Sequence, residues 1–145
     1  NILADNLCFN RSNCDLKLAL KRCSPSDGWS IHGLWLDYAN GSYPSYCKKS
    51  RMTFEMPSNR LFKEMNEYWY ACPSDVRENQ SSREANIDFW KHELNKHGSC
   101  IKYYIFPTLS SEQYYNGTLQ IFKGLAPVST YLCQKGTNCY ISLKS

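Results

Sequence analysis

The chain has 145 residues, 42% of them hydrophobic and 21% charged, which suits one soluble domain (1–145) with a buried core and excludes disorder, collagen and coiled coil. Aromatics are plentiful at 14%, and 17 Lys+Arg against 13 Asp+Glu leave a formal charge of +4, a mild bias that admits a polyanionic partner without requiring one. No apolar run is long enough to span a bilayer, so no membrane partner is expected; Asn1–Leu7 does not read as a signal peptide, and the expectation is a mature product whose leader has gone.

Eight cysteines with no CxxC pair point to disulfides and an oxidising compartment rather than to a metal site. Four sequons, at Asn10, Asn40, Asn79 and Asn116, agree with a secreted or vacuole-like location and N-linked glycans.

In chain order, Asp15–Arg22 is ambiguous between a short helix and a strand, because Leu16, Leu18 and Leu20 alternate. Trp29–Leu36 reads as a strand with Trp29, Ile31 and Trp35 on one face, Ser30 and His32 on the other. Asn40-Gly41 and Tyr43-Pro44 mark a loop. Ser58 is the expected cap of a helix to about Tyr70, ended by Ala71-Cys72-Pro73. Ser74–Ala85 is expected to be an exposed loop, Asn86–Lys96 a helix closed by Gly98, and Ser110 or Ser111 the start of a last helix stopping at Gly124. Thr137–Leu143 offers one more strand. Helices with few strands suggest an α+β layout.

The three histidines, His32, His92 and His97, carry the candidate chemistry. A zincin helix needs HExxH, but Lys96 stands where the second histidine belongs, and at 100° per residue His97 lies about 140° around the helix from His92. A metal or other cofactor is therefore not expected. Acid–base work fits better: Glu93 with His97, and His92 with Lys96, are i,i+4 pairs, an arrangement suited to a phosphodiester, although a solvated charged helix end has the same pattern.

Ile31-His32-Gly33-Leu34-Trp35 followed by Asp37, together with Phe89-Trp90-Lys91-His92-Glu93-Leu94-Asn95-Lys96-His97-Gly98-Ser99-Cys100, resembles the two active-site segments of the ribonuclease T2 family. The resemblance implies an α+β fold with a central antiparallel sheet packed by helices, here with shortened N- and C-terminal strands. It implies metal-independent cleavage of single-stranded RNA through a 2′,3′-cyclic phosphate, with DNA excluded because it lacks the 2′-hydroxyl nucleophile. His97 would be general base, His32 general acid and His92 the phosphate holder, with Glu93 and Lys96 supporting the transition state. Trp35, Asp37, Tyr43 and Phe89 would receive a base. The implied disulfides are Cys8–Cys14, Cys23–Cys72 and Cys47–Cys100, leaving Cys133–Cys139.

Three positions depart from the family pattern. Leu36 replaces a proline, which would loosen the turn before Asp37; Leu94 replaces a tryptophan and Ser99 a threonine, and neither change removes a titrating group. The alternative to an endoribonuclease is a weak or inactive glycoprotein of the same scaffold acting in binding or recognition. A plain disulfide-rich structural domain leaves the grouped histidines unexplained.

Overall fold

The computed structural model describes residues 14–24, 28–132 and 138–143. Three strands, β1 (Cys14–Lys21), β2 (Ser30–Tyr38) and β3 (Asn138–Leu143), form an antiparallel sheet of order β2-β1-β3. Helices α1 (Asn59–Tyr68), α2 (Ser82–Glu93), α3 (Ser99–Tyr104) and α4 (Ser111–Leu132) accompany it, with a π turn at Leu94–Gly98 joining α2 to α3. The alternating leucines of Asp15–Arg22 resolve as strand: Leu18 and Leu20 face a core shared with Ile31, Leu36, Met65, Trp69, Trp90, Leu94, Tyr114 and Leu119.

The expected parity of the second strand fails at one point. Ala19 pairs with Gly33 but Leu20 pairs with Ile31, so His32 is the extra residue of a β-bulge. The bulge resets the alternation, and Trp35 shares a face with His32 rather than with the fully buried Ile31. Leu36 lies inside β2, paired with Leu16, so no turn precedes Asp37. Side-chain donors cover carbonyls of β2: Trp69 Nε1 donates to His32 O at 2.9 Å, and Tyr114 Oη to Leu34 O at 3.1 Å.

Three helix limits also differ from expectation. Ser82–Ala85 is the first turn of α2, not loop, because Ser81 and Glu84 form a reciprocal capping box. Gly98 does not close the helix: its φ is −58°, and it serves close approach, since a Cβ there would stand 3.2 Å from Leu94 Cδ1 and 3.4 Å from Met52 Sδ. Gly124 does not stop α4, because a helical glycine costs only about 1 kcal/mol and the buried stripe Tyr115, Leu119 and Phe122 outweighs it.

Disulfides Cys23–Cys72 and Cys47–Cys100 are present. The Cys8–Cys14 and Cys133–Cys139 pairings and Asn10 lie outside the described residues. Cys47–Cys100 spans 53 positions, and closing such a loop is worth about 4 kcal/mol in the chain-entropy account. The double variant Cys47→Ser/Cys100→Ser is expected to lose that order of stability in urea unfolding; a loss below about 1 kcal/mol would show that the loop is held without the bond.

Candidate active site

The bulge of β2 and the π turn after α2 meet edge to edge. Residues Leu94–Gly98 form a π turn, whose i→i+5 bonding departs from the regular spacing of an α-helix. His92 stands exposed before it and His97 is buried within it.

Trp35 is the hub. Its indole stacks on the His97 ring at 4.5 Å between centroids, meets His32 edge-on at 5.1 Å, and donates from Nε1 to Glu93 Oε2 at 2.7 Å. Glu93 Oε1 lies 3.7 Å from His32 Nε2. His32, Glu93 and His97 thus surround one indole. His92 is more exposed and lines, with His32, Phe89 and Glu93, a cleft of about 330 Å³. Lys96 holds the neighbouring loop through its carbonyl, which accepts Tyr46 N–H at 2.9 Å.

Burial sets the charges. Glu93 is 1% exposed, and loss of water pushes its carboxyl up to about 7 despite the Trp35 hydrogen bond and the positive Lys96 and Lys21. His97, also 1% exposed, is pushed down to about 3 by burial, with Lys96, His92 and His32 adding to the fall. Burial, then Lys21, lowers His32 to about 4. His92 is lowered by burial and by Lys96. Among the described residues, neither His97 ring nitrogen has a hydrogen-bond partner. Buried polar atoms without partners are rare and call for a functional or strain-based account.

The four base-pocket candidates fall into separate places. Trp35 and the half-exposed Tyr43 flank His97, Tyr43 at 6.2 Å. Phe89 lies beyond His32, at 5.7 Å, under the Lys21 ammonium. Asp37 is tied to the Lys17 ammonium on β1. Among the described residues, no three His, Cys, Asp or Glu side chains are grouped to hold a metal ion.

A model of the ribonuclease T2 family matches residues 2–140. The chain belongs to the ribonuclease T2 family. It is 34% identical to the ribonuclease T2 of Aspergillus oryzae over 85% of its own length and 48% of that protein's. With ribonuclease 1 of Arabidopsis thaliana it shares 38% identity over 61% of this chain and 37% of the relative. The chain thus spans about half or less of these relatives. Human RNase T2 superposes with a TM-score of 0.52 at 26% identity, covering 82% of this chain and 61% of the human one. RNase NT, solved with 5′-AMP, gives 0.58 at 22% identity, with coverage of 81% and 59%. The small antiparallel sheet with its helices is the α+β fold of this family.

Within this ribonuclease T2 fold, several neighbours of the site carried no sequence signal. Lys21 is buried, sits 3.8 Å over the Phe89 ring and reaches Asp75 at 3.5 Å. Tyr140 on β3 is half exposed and approaches Trp35 to 5.6 Å across the small Ala19, its register partner. Both depend on strand pairing, which a local pattern does not report. Trp69 and Trp90 are fully buried and also brace the site: Trp90 Nε1 donates to Trp69 O, and Trp69 to the His32 carbonyl.

Proposed function

We propose that the chain is the catalytic region of a secreted, glycosylated endoribonuclease that cleaves single-stranded RNA by transphosphorylation, without a metal. The observation that carries this reading is the gathering of His32, Glu93 and His97 around Trp35, with His92 on the adjoining cleft. His97, neutral above about pH 3, takes the ribose 2′ proton as its oxygen attacks phosphorus. His32, in its protonated form, gives a proton to the departing 5′-oxygen, and His92 and Lys96 hold the phosphate oxygens as negative charge grows. Glu93, its carboxyl pushed up to about 7 by burial, is mostly protonated in the acid range where His32 is charged, and positions the Trp35 indole beside His32. Trp35 and Tyr43 stack one base, and Phe89 flanks the next. The eight cysteines and the exposed Asn40 and Asn79, with Asn116 half-buried, support a glycosylated product of the secretory route.

One observation favours the second reading, a weak or inactive binding glycoprotein: His97 is almost closed to solvent. Incubation with RNA, with and without EDTA, separates the two. Cleavage that resists EDTA and leaves 2′,3′-cyclic ends is expected. The rate should be highest in acid, below about pH 6, because His32 must hold a proton and its folded pKa is lowered to about 4, a value that a bound phosphodiester anion raises. Intact RNA, or an optimum above pH 7, would overturn the assignment.

A further inference from the structure

We propose that the loop 46–53 is a second anion site, a grip for the phosphate backbone of RNA beyond the scissile pair of nucleotides. The inference rests on the endoribonuclease reading and extends its substrate from a dinucleotide to a polymer. Lys48, Lys49 and Arg51 crowd one short stretch, exposed, with no ion pair among the described residues. The neighbouring acid in sequence, Glu55, lines a different cavity, shared with Arg51 and Lys102.

Loose surface lysines would mean little, but this loop is fastened to the helix that bears the candidate site. Cys47 is bonded to Cys100, Cys47 N–H donates to Ser99 Oγ at 3.1 Å, and Tyr46 N–H donates to the Lys96 carbonyl. A cleft of about 580 Å³ opens between loop and helix, lined by Tyr46, Lys48, Arg51 and Asn95. Tyr46 bridges the two regions: its ring is half exposed, is carried on a left-handed backbone of φ 51°, and stands edge-on to His92 at 6.3 Å. An aromatic face followed by three exposed cations on an anchored backbone is the pattern that tracks a single strand, stacking a base and neutralising phosphates. The left-handed Tyr46 is uncommon for a non-glycine residue, as expected where a ring is aimed for use rather than for packing.

The test compares the parent with Lys48→Ala/Lys49→Ala/Arg51→Ala. Affinity for an uncleavable 2′-O-methyl 12-mer is read by fluorescence anisotropy across salt concentrations, and turnover is read on a dinucleoside monophosphate. The variant should bind the 12-mer about tenfold more weakly in 0.1 M salt, and its log–log salt slope should shrink by about 2, at about 0.7 per neutralised phosphate on a single strand. Dinucleotide turnover should not change. Unchanged 12-mer affinity and slope would overturn the site, as would an equal loss on the dinucleotide, which would place the effect at the reacting centre. Loss of binding to phosphatidylserine vesicles with 12-mer affinity intact would also overturn it, in favour of a membrane surface. A parent that binds the 12-mer through these cations yet cleaves neither substrate would support the grip and defeat the nuclease reading.

Discussion

Replacing His32 or His97 by alanine is expected to lower kcat on a dinucleoside monophosphate by about 10²–10⁴-fold, the usual worth of a general acid or base. The two should differ in what else they disturb. His32 is partly exposed on the bulge, so His32→Ala should leave the near-ultraviolet dichroism and the affinity for an uncleavable analogue close to the parent's. His97 is enclosed and stacked on Trp35, so His97→Ala also opens a space beside the indole and should shift tryptophan fluorescence. A His32→Ala protein retaining kcat within threefold would remove the strand imidazole from the chemistry.

Gly33→Ala is expected to damage both fold and activity, although the change is one methyl group. That Cβ would fall against Glu93 Oε2 and stand 2.5 Å from Trp35 Nε1, two atoms that hydrogen-bond to each other. Overpacking of a tight interior costs roughly 1–3 kcal/mol. Prising apart the indole–carboxylate bond leaves a buried acceptor unpaired, at about 1–3 kcal/mol more. A fall of about 2–6 kcal/mol in urea unfolding should therefore accompany a drop of at least tenfold in kcat/KM. A variant with parental stability and fluorescence would show that Glu93 has room to retreat. Gly33 has no positive φ among the described residues, so the requirement is for space rather than for backbone freedom.

The sequence carried the element types well where a single period ruled. The stripe Leu61, Met65 and Trp69 lies on α1 and its C-cap, whereas the alternating Leu16, Leu18 and Leu20 left Asp15–Arg22 open between helix and strand until pairing resolved it as β1. It misled where one residue was inserted into a regular repeat. The β-bulge at His32 reversed the face of Trp35, and a π turn replaced the regular helix expected through Lys96; neither insertion has a composition of its own. Both irregularities fall at the candidate site, where local rules most often give way. The capping box Ser81–Glu84 fixes a helix start within the polar stretch Ser74–Ala85, which read as loop because its charge and sequon masked the cap. Lys21, Asp75 and Tyr140 were invisible because they arrive through a disulfide-linked turn and a strand register rather than through spacing.

The opposed shifts of Glu93 and His97 have a bearing on acid tolerance. Between pH 7 and 4.5 the folded Glu93 takes up a proton that the unfolded chain does not yet hold, so acidification strengthens the fold through this group. From 6.5 down to about 3 the enclosed His97 refuses a proton that the unfolded chain accepts, so acidification weakens it. Where the two intervals overlap, the slopes oppose each other, and mild acid leaves conformational stability nearly level as far as this pair decides it. Below pH 4.5 the carboxyl has nothing left to give and the imidazole debt continues to grow. The buried acid thus serves as ballast for the buried base over the mildly acidic range.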